Sequence, residues 1–126
     1  MAADAIEVHA RAAAPDECCG LLLGRGGDIV EAVRTRNIAA EPRSRFLIDP
    51  KDHIDGRRMA RARGLDVVGF YHSHPSSPPE PSARDIVELT YPGHLYIIVS
   101  LVPEPEIRLF RFDDGNFRRV PFVTVG

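Results

Sequence analysis

Val67-Val68-Gly69-Phe70-Tyr71-His72-Ser73-His74-Pro75 is the stretch around which the rest of the chain is organised. Its first five residues form a short apolar run rich in β-branched and aromatic side chains, which predicts a buried strand. His72 and His74 stand two positions apart at the end of this run. An extended backbone points both imidazoles to one face, with their Cα atoms about 6.6 Å apart. Two imidazoles at this spacing can bind one metal ion.

A proline-rich loop comes after the histidines and leads to the start of a helix. Four of the chain's eleven prolines lie in residues 75–81, so the loop loses little entropy on ordering and can fix the position of the next segment. Ser82-x-x-Asp85 then precedes an apolar-periodic segment. This pattern predicts a helix over residues 83–91 that begins with a capping box.

Each of these pieces also has a purely structural interpretation. Histidines at a strand end can be surface residues, and Ser82 with Asp85 can serve only as a helix cap. Together they favour a metal site, because the rigid loop brings a carboxylate back to the strand's end. Two histidines and one carboxylate leave a tetrahedral Zn²⁺ ion with one open position, as in catalytic sites. The combination predicts one Zn²⁺ per chain, bound by His72, His74 and Asp85.

These residues resemble the His-x-His…Ser-x-x-Asp signature of the JAMM (MPN-plus) zinc metalloproteases, and the compact bacterial single-domain members are the nearest match. Residues 15–24 resemble the segment that supplies this family's upstream glutamate, which is Glu17 here. The resemblance implies that Glu17 is the general base and acid and that Ser82 stabilises the oxyanion. From the residues alone, Glu17 is only a charged loop residue, and the Ser82 hydroxyl can act as a cap as well.

Helices interleaved with strands predict an α/β fold with a mixed sheet flanked by helices. The resemblance sharpens this to the cytidine-deaminase-like JAMM/MPN sandwich. It also implies hydrolysis of the amide bond after the C-terminal Gly-Gly tail of a ubiquitin-like or sulfur-carrier protein, with residues 39–46 as the tail-binding segment. Two alternatives stay open: a non-catalytic scaffold or binding module of the same fold, and hydrolysis of an unrelated small amide.

Length and composition set the broader limits. The 126 residues predict one domain over residues 1–126, with an ordinary 44% hydrophobic and 27% charged content. A net charge of −2 indicates no general attraction to nucleic acid or anionic membrane. No apolar run approaches the ~20 residues of a membrane span. Charged residues interrupt the N-terminus, so we expect no secretory signal and a cytoplasmic location. The oligomeric state, monomer or homodimer, stays open.

The remaining elements are predicted from local patterns. We expect a helix over 3–14, a hairpin of strands 18–23 and 29–35, and a brief strand over 46–48. Asp49 and Pro50 should begin a helix that ends near Gly64. Strands are predicted over 95–102, 107–112 and 117–123. Arginines 57, 58, 61 and 63 suit the C-terminal end of their helix better than a nucleic-acid surface.

The other histidines and the cysteines are expected to be structural. His9, His53 and His94 have no second histidine at ligand spacing and should be surface or hydrogen-bonded polar residues. Cys18 and Cys19 are neighbours on a strand and should be core thiols facing opposite sides. The Pro-Cys-x-x-Cys motif of the zinc deaminases is missing from the sequence, which disfavours deamination.

Overall fold

The computed structural model describes residues 2–82 and 94–124. Within these ranges the elements are α1 (Ala2–Ala13), β1 (Cys19–Arg25), β2 (Asp28–Thr35), α2 (Pro50–Ala62), β3 (Asp66–His74), β4 (Leu95–Ser100), β5 (Glu106–Asp113) and β6 (Asn116–Val120). The helix predicted over residues 83–91 lies outside the described residues. Of the helices that the structure describes, none is long and apolar enough to cross a membrane.

The strands form one mixed sheet of order β2-β1-β3-β4-β5-β6. β3 pairs with β4 in parallel, whereas the other described neighbours are antiparallel. The inner strands are buried on both faces, as in the run Leu21-Leu22-Leu23, whose side chains are all 0% exposed. Such uninterrupted apolar runs are typical of strands covered on both sides. The predicted mixed sheet is therefore confirmed.

The two helices cover opposite faces of the sheet. α1 places Ile6 and Ala10, one turn apart, in an apolar cluster that includes Leu22 and Tyr71. α2 places Ala60 in a second cluster with Leu21 and Leu23 from the same strand, together with Phe70. Because successive strand residues point to opposite faces, these two clusters lie on the two sides of one sheet.

The predicted start and end of α2 are confirmed. The Asp49 side chain accepts a hydrogen bond from the Lys51 amide at 2.9 Å, and Pro50 occupies the first turn. After Arg63 the chain leaves the helix at Gly64, whose φ of 70° is a conformation that glycine adopts without steric cost.

Several predicted boundaries are wrong. Residues 46–48 do not form a strand: Asn37 and Ile48 make a single bridge, and the Ile38 amide donates to the Leu47 carbonyl at 2.9 Å. The segment folds back on residues 37 and 38 instead of joining the sheet. β6 ends at Val120, because the next residue is a proline and has no N–H to donate.

Candidate functional site

The two histidines of the organising stretch converge at the C-terminal end of β3. Their side chains are buried, at 3% exposure for His72 and 5% for His74. The two Nε2 atoms lie 3.2 Å apart. The spacing of two residues along an extended strand therefore brings both imidazoles to one face, as predicted.

The proline loop fixes the tautomer of His74. Its Nδ1 lies 2.9 Å from the carbonyl oxygen of Pro78. A carbonyl oxygen can only accept, so Nδ1 must carry the proton and donate it. In the neutral ring, Nε2 then presents its lone pair toward His72. Metal-binding histidines in proteins are held in this way.

Phe46 packs against the other histidine. The Phe46 and His72 rings are stacked, with centroids 4.3 Å apart and an interplanar angle of 18°. Phe46 belongs to the loop of residues 36–49, which joins β2 to α2. This loop therefore sets the orientation of the His72 ring.

The register between β1 and β3 indicates the face on which the buried Glu17 lies. Glu17 is 8% exposed and sits between α1 and β1. Cys19 pairs with His72, and the pairing continues through Cys18, whose carbonyl accepts from the Ser73 amide at 3.1 Å. One further step along this antiparallel register sets Glu17 opposite His74, and opposed residues share a face.

The backbone of Glu17 is held by the same loop that carries Phe46. Its amide donates to the Pro42 carbonyl at 2.7 Å, and its carbonyl accepts from the Asn37 side chain at 2.9 Å. The contacts of Asn37 with Glu17 and of Phe46 with His72 were not predicted. Neither Asn37 nor Phe46 belongs to a short motif, and only the folded chain shows what they contact.

The remaining predicted site residues lie beyond the proline loop. The Ser100 hydroxyl donates to the Ser77 carbonyl at 2.6 Å, which anchors this loop to the end of β4. Ser82 is exposed at the end of the first described range. Asp85 lies outside the described residues. Over residues 2–82 and 94–124, no three His, Cys, Asp or Glu side chains are grouped closely enough to hold a metal ion.

The histidine pair nevertheless fits two positions of a zinc site. Zinc–nitrogen bonds of about 2.0–2.1 Å at a tetrahedral angle separate two ligand nitrogens by about 3.4 Å. The Nε2 atoms of His72 and His74 are 3.2 Å apart, and the His74 tautomer is the one that a metal requires. The two imidazole nitrogens are therefore compatible with zinc.

The predictions for the two cysteines are confirmed. Cys18 and Cys19 are 2% and 0% exposed. Burial raises the pKa of the Cys18 thiol to about 11 and that of Cys19 to about 12. Both thiols are therefore protonated at neutral pH, which disfavours a role as nucleophile or ligand.

The other three histidines have structural partners. His9 Nδ1 lies 2.7 Å from the Tyr71 hydroxyl, and His53 accepts from the Arg57 guanidinium at 2.8 Å. The His94 ring stacks on Phe70, with centroids 5.8 Å apart. This agrees with the prediction that they are surface or hydrogen-bonded residues.

Comparison with known proteins identifies the family. Residues 2–113 match the family Prok-JAB, the prokaryotic homologs of the JAB domain. The match covers most of the chain, and the chain belongs to this family. The predicted resemblance is therefore confirmed.

Two similar proteins carry names that describe hydrolysis. The chain is 37% identical over 125 residues to a desampylase of Haloferax volcanii, covering 94% of this chain and 88% of that protein. It is 32% identical over 127 residues to the CysO-cysteine peptidase of Mycobacterium tuberculosis, covering 97% and 86%. The predicted class of activity agrees with both names.

Solved structures confirm the fold. A solution structure of a protein from Desulfitobacterium hafniense has a TM-score of 0.86 and 30% identity, covering 95% of this chain and 86% of that one. The crystal structure of a JAB1/MPN domain protein from Archaeoglobus fulgidus has a TM-score of 0.62 over 94% and 89% of the two chains. At 24% identity, the second likeness shows the fold alone. The sheet flanked by helices is thus the JAB/MPN sandwich that was predicted.

Proposed function

We propose that this chain is a zinc-dependent peptidase or isopeptidase that hydrolyses the amide bond after the C-terminal Gly-Gly tail of a ubiquitin-like or sulfur-carrier protein. The observation that carries the proposal is the convergence of two buried imidazoles, with Nε2 atoms 3.2 Å apart, in a member of the JAB family. The names of the relatives, desampylase and CysO-cysteine peptidase, support the substrate class.

His72, His74 and Asp85 would hold the zinc ion. When bound, zinc lowers the pKa of water toward about 7 and polarises a carbonyl oxygen. The hydrogen bond from His74 Nδ1 to the Pro78 carbonyl keeps the Nε2 lone pair directed at the ion. Stacking of Phe46 on His72 restrains the ring plane of the second imidazole.

Glu17 is the proposed general base and acid. Hydrolysis adds hydroxide to the carbonyl carbon and a proton to the leaving nitrogen, so one group must take a proton from water and pass it on. Glu17 is buried, and the register between β1 and β3, continued by two residues, puts it on the face that carries the two imidazoles. We assign to the Ser82 hydroxyl the hydrogen bond that stabilises the developing oxyanion.

The substrate tail would bind as an extended strand beside the loop of residues 36–49. The Ser44 and Arg45 amides both donate to the Glu41 carbonyl, so a turn occupies the middle of the segment predicted for tail binding, residues 39–46. Beyond the turn, Arg45 and Leu47 direct backbone groups inward to Asn37. In an extended segment the backbone groups of Phe46 then point the other way, where a tail can pair with them.

The proposed position of this pairing predicts a preference for glycine. Because the Phe46 ring lies on His72, a chain that pairs with Phe46 passes close to the proposed metal. Little room then remains for a side chain next to the bond to be cleaved, and glycine also reaches backbone conformations that other residues avoid.

The test is hydrolysis of sulfur-carrier fusions whose tails end in Gly-Gly or Gly-Val, with and without a chelator. We expect zinc-dependent cleavage of the Gly-Gly fusion and a loss on the order of 10²-fold for Gly-Val. Equal cleavage of the two fusions would contradict the tail selectivity. If no fusion were cleaved in a zinc-dependent manner, the chain would instead be a binding module of the same fold.

A further inference from the structure

The Asn37 side chain is the centre of a compact hydrogen-bond network behind the site. Its Nδ2 donates to the carbonyls of Glu17 and Arg45 at 2.9 and 3.0 Å. Its Oδ1 accepts from the amides of Ala39 and Leu47, both at 3.0 Å. A side-chain amide has two donor hydrogens and two acceptor lone pairs, and all four are used here. Because carbonyls only accept and backbone amides only donate, these partners also fix which atom is Nδ2.

This network holds the proposed base in place. Glu17 lies between α1 and β1, outside any helix or strand. Its amide donates to Pro42 and its carbonyl accepts from Asn37, so both contacts come from the loop of residues 36–49. The position of Glu17 relative to the histidines therefore depends on this loop.

The same loop also approaches the proposed metal and the proposed tail. Phe46 stacks on His72 at a centroid distance of 4.3 Å. Asn37 bonds to the residues on either side of Phe46, since its partners include the Arg45 carbonyl and the Leu47 amide. One side chain thus connects the backbone of Glu17 to the short segment that would pair with the substrate tail.

We propose that Asn37 is a positioning residue that couples the tail-binding segment around Phe46 to the placement of Glu17. The inference rests on the proposed function, because it gives Glu17 and this segment their roles. Asn37 does not touch the reacting atoms, and it acts through the residues that it holds. Displacement of a catalytic group by about 1 Å costs on the order of 10²-fold in rate.

Asn37→Asp removes the two hydrogen bonds that Asn37 donates and keeps the two that it accepts. The carboxylate has nearly the same shape and still accepts from Ala39 and Leu47, so the loop keeps these two bonds. Its second oxygen cannot donate and repels the carbonyl oxygens of Glu17 and Arg45, so these two bonds are lost. We expect kcat to fall on the order of 10²-fold. KM for a Gly-Gly fusion should stay within about threefold and zinc content should be unchanged, because the accepted bonds hold the tail-binding segment.

Asn116 provides a matched control. It is the one other asparagine in the chain. Its Nδ2 donates to the Asp114 carbonyl at 3.3 Å in the turn between β5 and β6, away from the site. Asn116→Asp introduces the same chemical change, and we expect it to leave kcat and KM unchanged.

A second measurement reports on the position of Glu17 without any turnover. Hydrogen exchange of the Glu17 amide, which donates to Pro42, should become about tenfold faster in zinc-free Asn37→Asp than in zinc-free Asn116→Asp. A purely structural role for Asn37 would lower the melting temperature without this local change and without a selective effect on kcat.

The outcomes separate the inference from the proposed function. If Asn37→Asp binds zinc and its kcat is within about twofold of the Asn116→Asp value, the inference is wrong. If the wild-type chain shows no zinc-dependent cleavage, the proposed function is wrong. Should Asn37→Asp fail to fold, the uncharged Asn37→Ala variant is compared in the same way. Failure of both variants to fold would also contradict the inference, since it would assign Asn37 to folding as a whole.

Discussion

At the scale of single residues, the site combines two imidazoles held by different neighbours with a carboxylate on the same face of the sheet. The Pro78 carbonyl fixes His74, and the Phe46 ring fixes His72. The backbone amide and carbonyl of Glu17 are held by the loop of residues 36–49, through Pro42 and Asn37. Because different contacts hold the histidines and Glu17, we expect that a mutation can remove the proposed base without removing the proposed metal ligands.

Glu17→Gln should retain zinc and lose activity. The amide keeps the shape and hydrogen-bonding capacity of the side chain but cannot take a proton from water, so the rate should fall by on the order of 10²–10⁴-fold. Glu7→Gln is the matched control, because Glu7 pairs on the surface with Arg11 of the same helix. Zinc content and rate are measured for both. An active Glu17→Gln enzyme would mean that the base lies elsewhere.

His9 should make stability depend on pH. Burial, and secondly the charge of Arg34, lowers the pKa of His9 to about 4. A histidine in the unfolded chain has a pKa near 6.5, so between about pH 4 and pH 6.5 the unfolded state binds more protons than the folded state. The contribution of neutral His9 to the free energy of unfolding is therefore complete above about pH 6.5, and it is lost as the pH falls through the folded pKa.

The measurement for His9 is urea unfolding of wild type and His9→Gln at about pH 7.5 and pH 5. Wild type should lose more stability on acidification than the variant, because glutamine keeps a polar partner for Tyr71 without a titrating group. Equal losses in the two proteins would show that His9 does not contribute.

At the scale of elements, the contact between β3 and β4 depends on a glycine. Gly69 pairs with Leu95 across the parallel strands, and a Cβ at this position would collide with the Leu95 backbone carbonyl. Gly69→Ala should therefore destabilise the protein by about 3 kcal/mol. Gly27→Ala, at a position where a Cβ meets open space, should change stability by no more than about 0.5 kcal/mol. Chemical denaturation compares the two, and similar stabilities would contradict this description of the strand contact.

Features that depend on nearby residues could be predicted from the sequence. The apolar run of β3 and the two-residue spacing of its histidines are local, and so are the cap at Asp49 and the stop at Gly64. The position of Glu17 is different. It depends on the register between β1 and β3, which lie far apart in the chain, so the residues alone gave no reason to select it.

The loop of residues 36–49 shows a second reason why part of the structure could not be predicted from the sequence. Phe46 and its neighbours resemble a short strand in composition, but the Arg45 carbonyl and the Leu47 amide form hydrogen bonds with the Asn37 side chain and not with a neighbouring strand. These are tertiary contacts that no local pattern contains. Similarly, only the folded chain shows which side of α1 is covered: Ile6 and Ala10 pack in the core, whereas Val8 is 57% exposed.

At the scale of the whole molecule, the site lies where the sheet changes its pairing. β3 and β4 are the parallel pair among the described strands, and His74 and Ser100 are aligned at their carboxyl ends. Ligand sites in open α/β sheets occur beyond such ends. Here the ends of both strands also anchor the proline loop, through Pro78 and Ser77. The architecture thus fixes the segment that leads to Ser82 and Asp85.

The proposed function requires that zinc held by this site carries out cleavage after a Gly-Gly tail. The decisive experiment titrates zinc-free protein with Zn²⁺ while following hydrolysis of a Gly-Gly sulfur-carrier fusion. The rate should start near zero, rise in proportion to added zinc and level off at about one ion per chain, whereas Asp85→Ala should require a large excess of zinc. Cleavage at the full rate by the zinc-free protein, or an Asp85→Ala titration that matches wild type, would contradict the proposed zinc site.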